Sequence, residues 1–436
     1  MSDRAPQFVV AVVGGATAGA QAAGLLAARG ITAVVFEPNP RPYGEIEDAL
    51  PRWHVRLRKR EYDTIHGRLQ RPGVHFVPNT KIGRDLDVAD LVTTWGFSAV
   101  VLAEAARRDR PLPIDGADQY RGKGLVYQSP LIDWFNHHTE LGYDGPHYDV
   151  LDGAIVVGGG LASIDVMKVL QLEGVRRALS ERGIDEDIAT LETDGIPAVL
   201  AEHGLCWDDL GLHGATLYYR RRLEDMRLAD SAEASDPAAV EKLEATRRRL
   251  LDKAMQKYGF TVCALRLPVG SIVERGRLAG LRFQRTRIEH GRVVPIDGAF
   301  EDVYAPLVVS AIGSLPAATP TIGTNGAEVE PGRNDTVFRL DTVDPSRTHG
   351  IGVSTHVIER FLGLGNGTHN GEEAMLAAMT NEIDTAANKI ADAMVQSREP
   401  LPADQVETLL DRVRARQKAV GYTGTYTEWL ESVTAS

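Results

Sequence analysis

Two short runs of small residues have a spacing that could hold a charged ligand. Gly14, Gly15, Ala16, Thr17, Ala18 and Gly19 stand in a G-x-A-x-x-G register, and Gly158, Gly160 and Ser163 in G-x-G-x-x-S. In such a run the first small residue permits a tight turn and the middle one lets backbone approach a pyrophosphate. The last lets a helix pack closely on a strand. Different chemistry follows each run. Glu37 ends ITAVVFE, where a carboxylate accepts bonds from an adenosine ribose. Arg220, Arg221 and Arg222 end ATLYYRRR at the equivalent place in the second unit. Guanidinium groups there bind a 2′-phosphate through bidentate, charge-assisted bonds. The spacing predicts two dinucleotide sites, the second for NADP(H). The alternatives are an ordinary βαβ turn for the first run and three solvated arginines for the last.

Both runs need a strand before them and a helix after. FVVAVV is apolar and β-branched, as a strand buried on both faces requires, and AQAAGLLAARG is a helix of short residues with a C-cap candidate at Gly30. GAIVV and LASIDVMKVLQ repeat the pattern. Between them the sequence predicts a loop with a basic entry to a helix at 52–60, a strand pair in GVHFVPNTKIG, and a short helix in RDLDVADLVTTWG. SAVVLAEA is an apolar strand. Glu173–Gly211 reads as a charged helical insert, ASDPAAVEKLEATRRRLLDKAMQKYG as a surface helix, and VGSIVERGRLAGLRFQRTRIEHGRVVPIDGAF as an antiparallel meander. APLVVSAIGSLP returns as a buried strand. A glycine-rich turn then precedes a long helix, and peripheral helices without an evident site follow Pro400.

The chain has 436 residues, more than one core usually organises, so two domains are expected. A net charge of −12 argues against general nucleic-acid affinity. There is no apolar run long enough to span a membrane and no charged-then-apolar leader. Cys206 and Cys263 stand far apart, without the spacing of a redox pair, a zinc motif or an iron–sulfur ligand set. No metal site is expected, a reducing cytoplasm fits, and oligomeric state is left open.

Five further stretches resemble one family in order along about Phe8–Met394, the adrenodoxin reductase-like ferredoxin–NADP reductases, which are related to the small subunit of glutamate synthase. IGRDL (Ile82–Leu86) resembles that family's V-G-R-D-V, and DWFN (Asp133–Asn136) its G-W-Y-N. GGGLASIDVMKVL resembles its NADP loop, with Asp165 in the matching place. YRRRLEDM resembles the Y-R-R-x-x-x-x-M run of the glutamate synthase relatives, and SAIG their S-I-G turn.

The resemblance implies an α/β flavoprotein with two Rossmann-like domains, the NADP-binding domain inserted in the FAD-binding domain. The expected limits are 1–150 and 313–395 for the FAD-binding domain, 151–312 for the NADP-binding domain, and 396–436 for a helical tail. Gly14, Ala16, Thr17, Ala18, Gly19 and Glu37 fall on the FAD turn, Gly44, Glu45 and Ile46 on the segment passing the flavin, and Leu86 in the IGRDL stretch. Gly158, Gly160, Leu161 and Ala162 fall on the NADP phosphate loop, Arg220 and Arg221 on its 2′-phosphate pair. Gly365 and Asn366 fall on the C-terminal flavin turn. By the same resemblance hydride would pass from NADPH to FAD, and electrons would then leave for a carrier such as ferredoxin; no catalytic side chain is expected, because the cofactors carry the chemistry.

The chain departs from the family in Ala16, a methyl where glycine is usual, in the AEAA stretch, and in Asn366, where relatives carry an aspartate. His54 lies one residue out of register with a family histidine; otherwise it is a loop histidine. The basic stretch Arg52, Arg56, Arg58, Lys59 and Arg60 is either a dock for an acidic carrier or a solvated helix face. Two other functions stay open: a flavoenzyme acting directly on a small molecule or oxygen, and a flavin-binding subunit with little activity alone.

Overall fold

The computed structural model describes residues 7–103, 107–229, 236–316 and 399–434, with 337–339, 348–351, 383–385, 387–392 and 394–396. The first unit is built on β1 (Val9–Val13), α1 (Thr17–Ala28), β2 (Thr32–Phe36), α2 (Glu45–Asp48), α3 (Val55–Leu69), β3 (Val74–Val77), α4 (Val88–Thr93) and β4 (Ala99–Leu102). β3, β2, β1 and β4 lie side by side in that spatial order, all parallel. All five residues of β1 are buried, and they alternate between two cores. Val10 and Val12 face one with α1 and α3, whereas Val9, Ala11 and Val13 face the other with α4. α3 presents Leu57, Glu61, Ile65 and Leu69 inward at a spacing of four, one helix face. GVHFVPNTKIG yields one strand only. Pro78 supplies no N–H, Asn79 takes a positive φ of 50°, and the chain turns into an isolated bridge between Ile82 and Leu86.

After β4 the chain crosses through β5 (Arg107–Asp109) into a second sheet. That sheet has five strands, all parallel. They are β6 (Leu125–Tyr127), β7 (Ile155–Gly158), β8 (Thr216–Tyr219), β9 (Thr261–Ala264) and β13 (Val308–Ala311). α5 (Gln128–His137), α6 (Leu161–Ser180), α7 (Ile188–Asp194), α8 (Ile196–Glu202) and α9 (Pro237–Tyr258) build the core on one face of this sheet. Its other face is covered by the expected antiparallel meander, β10 (Arg266–Glu274), β11 (Arg277–Glu289) and β12 (Arg292–Tyr304), whose Leu278, Leu281 and Phe283 are buried. Phe283 stacks on Tyr218 at 4.3 Å. The expected surface helix is α9. Asp236 caps it by accepting from Ala239 N at 2.8 Å, Gly259 ends it at a positive φ, and only Leu251 and Tyr258 are buried.

The insertion is visible in the return path. β14 (Ser314–Pro316) pairs antiparallel with β5, so outgoing and returning crossings run side by side. The chain then rejoins the first sheet, where β16 (Thr348–Ile351) pairs parallel with β4 and antiparallel with β15 (Val337–Arg339). The first expected boundary differs from this path: β6 and α5 precede residue 151 yet belong to the second sheet and its core. The glycine turn expected at 363–371 and the AEAA residues 104–106 lie outside the described residues.

The helices after Pro400 are not peripheral. α10 (Ala403–Ala419) buries Val406, Leu409 and Val413 with the outer face of β1, and α11 (Tyr426–Thr434) buries Tyr426 and Trp429 with α1 and α3. The Trp429 indole donates to Pro40 O at 2.9 Å, and Gln417 Nε2 to Phe76 O at 2.8 Å. Their separation in sequence from the strands they cover hid this packing. Trp429→Ala should therefore lower the stability of the first unit by about 3 kcal/mol, measured as a shift of the urea midpoint. A loss below about 0.5 kcal/mol, the scale of an ordinary surface substitution, would return these helices to the periphery.

Candidate functional site

The first site is assembled where β1 ends. Gly14 takes φ 96°, which a side chain would strain, and donates its N–H to Phe36 O at 2.8 Å. A Cβ on Gly19 would overlap the Gly14 carbonyl, so α1 sits as close to the turn as backbone allows. Ala16 is the N-cap of α1 at φ −71°, a conformation any residue adopts, which explains why glycine is not needed there. Its methyl lies toward Gly44, where an added Cβ would come within 3.0 Å of it. The segment Gly44–Ile46 is thereby brought against the turn; Ile46 is buried and Glu45 opens α2. Thr17 and Ala18 form the first turn of α1, and Thr17 Oγ1 is buried without a hydrogen-bond partner among the described residues.

Glu37 closes the same corner. It is buried, and its carboxylate accepts from Gly15 N at 2.7 Å and Asn39 N at 3.1 Å. Leu86 lies on the loop after β3, bridged to Ile82 and packed on the core beneath α4. Tyr43 stacks on Tyr62 at 3.8 Å and bonds to His66 at 3.0 Å. Burial pushes the Tyr43 phenol up to about 12 and holds the His66 imidazole below its ordinary value. Tyr43 is buried and His66 is half-buried beside it.

The second site repeats the design on β7 and β8. A Cβ on Gly158 would come within 2.8 Å of Ala311 O, and one on Gly159 would overlap the Tyr219 ring. Gly160 is the N-cap of α6, with open space where a side chain would stand, and Leu161 and Ala162 form the first turn beside it. Ser163 Oγ donates to Gly160 O at 2.6 Å. Of the three arginines, Arg222 is engaged by Asp225 at 2.8 Å and Glu244 at 2.9 Å. Arg221 stands 3.5 Å from Asp225 and donates to Gly291 O at 3.0 Å. Arg220 is exposed and has no ion-pair partner among the described residues. A further arginine stands here that sequence reasoning missed: Arg227 donates its backbone N–H to Gly159 O at 3.0 Å. Its signal was its place directly after Met226 in the YRRRLEDM run. Gly365 and Asn366 lie outside the described residues.

Between the two sites, His54 is buried 3.9 Å from Asp165 and accepts from the Trp53 indole at 3.1 Å. The second oxygen of Asp165 is buried with no hydrogen-bond partner among the described residues. Asn136, the last residue of the DWFN stretch, ties the units together. Its Oδ1 accepts from Arg52 N at 2.8 Å, and its Nδ2 faces the carbonyls of Glu47, Asp48 and Leu50 at 2.9 to 3.0 Å. The basic stretch is only partly a surface. Arg52 lies over the Phe135 ring at 4.5 Å, and burial lowers its pKa against the pull of Glu173. Arg58 turns inward to Glu47 O, which leaves Arg56, Lys59 and Arg60 exposed. No helix among the described residues is long and apolar enough to cross a membrane.

Three variants test this geometry. Gly19→Ala should cost about 3 kcal/mol from forced overlap, read by chemical unfolding. Gly174→Ala, in α6 with nothing near the added methyl, should be neutral or stabilise by about 0.5–1 kcal/mol. Asn136→Leu strands buried backbone groups that each cost about 1–3 kcal/mol. Amide exchange in 45–52 should rise, whereas unchanged exchange would deny the tie.

No protein-family model matches the chain. Cindoxin reductase of Citrobacter braakii is 30% identical over 165 residues, 37% of this chain and 34% of that protein. A probable ferredoxin/ferredoxin–NADP reductase of Mycobacterium tuberculosis is 33% identical over 173 residues, 38% of this chain and 28% of that one. The chain thus spans about a third or less of the length of these curated relatives, 34% and 28%. Among solved structures, M. tuberculosis FprA in complex with NADPH superposes with a TM-score of 0.65 at 18% identity, covering 94% of this chain and 91% of that one. The chain has the α/β, two-dinucleotide fold of FprA, and it is similar in sequence to ferredoxin–NADP reductases, as its motifs imply.

Proposed function

We propose that the protein is an FAD-dependent NADPH oxidoreductase. The observation that carries this reading is the contrast between equivalent corners of the two units. A buried acid, Glu37, ends the second strand of one, and the exposed Arg220 beside Arg221 ends that of the other. The chemistry that relatives are named for, reduction with NADPH or of a ferredoxin, comes to this chain only as part of the proposal.

The residues present fit both nucleotides. The turn Gly14–Gly19 leaves Thr17 Oγ1 buried without a partner at a helix N-terminus, where a pyrophosphate oxygen would satisfy it. Glu37 would take the adenosine ribose of FAD, with Gly44, Glu45 and Ile46 passing the flavin; Leu86, Gly365 and Asn366 complete the proposed set. Gly158, Gly160, Leu161 and Ala162 would hold the NADPH pyrophosphate, and Arg220 and Arg221 its 2′-phosphate. When bound, FAD supplies hydride acceptance and the release of single electrons. The chain itself orients the nucleotides, excludes water from the junction lined by His54 and Asp165, and sets the charge at each end. The NADP-binding unit in this reading runs from about 112 to 312. The electron acceptor is a small acidic carrier such as a ferredoxin, docking on exposed Arg56, Lys59 and Arg60.

Anaerobic stopped-flow mixing of the FAD-loaded protein with NADPH and NADH tests the reading. The flavin band should bleach quickly with NADPH and far more slowly with NADH. Arg220→Ala should raise the NADPH concentration for half-maximal rate by roughly 10- to 100-fold, the worth of a hydrogen bond to a charged group, and leave NADH unaffected. A protein that binds FAD yet bleaches with neither nucleotide is not this reductase.

A further inference from the structure

We propose that Asp48, Asp133 and His137 form a binding site for a divalent cation of zinc's class, outside both nucleotide sites. The three residues come from two elements that a separate contact holds together. Asp48 is the last residue of α2, whereas Asp133 and His137 stand one turn apart on the same face of α5. Asn136 fixes the α2 backbone against α5 through the Glu47 and Asp48 carbonyls, so the ligand set is arranged without help from a cation.

The geometry suits tetrahedral coordination. His137 Nε2 lies 3.3 Å from Asp48 Oδ1 and 3.8 Å from Asp133 Oδ1, and the three ligand atoms all fall within 4.8 Å of one another. Ligand atoms about 2.0–2.1 Å from a tetrahedral zinc stand about 3.3 Å apart, so small side-chain adjustments close the set. The ring is also oriented for the purpose. Its Nδ1 lies 2.9 Å from Glu140 Oε1, the carboxylate–histidine arrangement that turns Nε2 toward a metal. Nε2 itself is shut off from solvent and faces the carboxylates of Asp48 and Asp133, with which it pairs when the ring is protonated.

Charge balance points the same way. Asp48, Asp133 and Glu140 surround a single imidazole, and the charged groups acting on Asp133 are these two carboxylates and His137, with no lysine or arginine among them. A proton on the ring offsets one of the negative charges, a divalent cation two. Asp48 and Asp133 are about half exposed, at 50% and 47%, so solvent can deliver the ion and complete its shell. The imidazole nitrogen selects zinc, cobalt or nickel over magnesium and calcium, which prefer oxygen alone. A cation here would be a pin between α2 and α5, with no part in hydride transfer.

The test uses the full chain stripped with chelator and titrated calorimetrically with zinc chloride, then with cobalt chloride followed by visible absorption. One zinc per chain and a tetrahedral cobalt band are expected, with a higher thermal midpoint when zinc is present. His137→Ala and the milder Asp133→Asn should each abolish that binding event while circular dichroism shows the fold intact. Glu140→Gln should keep the stoichiometry and weaken affinity by roughly 10- to 100-fold. A wild-type chain that binds no zinc, or variants that bind it as tightly as wild type, would overturn the proposal and leave an imidazolium held among carboxylates.

Discussion

Burial of parallel strands on both faces governs this molecule. A strand such as Val9–Val13, with every residue buried, has no solvent face, so each side of its sheet needs a layer of its own. The βαβ crossovers place α1 and α3 on one side but leave the other side covered chiefly by the six-residue α4. The remaining cover comes from the far end of the chain, in α10 on one face and, on the other, in Ile383, Ala387, Ile390, Ala391 and Met394 with α11. The second sheet solves the same problem locally, with helices on one face and a three-stranded meander on the other. That difference explains how the second unit is an insertion: it carries both its layers within the chain it spans, whereas the first must close around its own C-terminus.

How well each part could be read in the sequence follows from the same distinction. The two glycine runs, their flanking strands, the meander and the cap of α9 are local, set by residues within a turn or two, and they were legible. The packing of α10 and α11 depends on partners more than 300 residues away, and no periodicity reports a partner. β6 and α5 were misplaced for a similar reason: LVYQSPLIDWFN has the apolar content of either unit, and only pairing with β13 decides between them. At the sites, small residues were informative because each has a close neighbour, such as the Gly14 carbonyl at Gly19 or the Tyr219 ring at Gly159. Charged residues were less so. Arg220, Arg221 and Arg222 are identical in sequence, and only the fold shows that Asp225 and Glu244 engage one of them fully and leave another exposed.

The junction of the units rests on polar contacts. Asn136, His54 with Asp165, and the aromatic contact of Arg52 with Phe135 all join the loop after α2 to α5 and α6. A buried polar group that is satisfied only in one arrangement penalises every other, because separation strands its partners. Such contacts fix orientation more than they add stability. That suits the proposed reading, in which each unit would hold one nucleotide and the two must meet at a set distance.

In the proposed reading the two nucleotide corners hold equivalent places after β2 and β8 and carry opposite charge, so selectivity would reside in a few side chains there. The buried carboxylate of Glu37 already accepts two backbone N–H groups, which holds it in place and makes a second negative group beside it costly. In that reading a ribose bearing a 2′-phosphate would be disfavoured beside Glu37 and favoured beside Arg220 and Arg221. In that reading two units of similar fold would hold two nucleotides in a defined order, because the discriminating charges follow equivalent strands.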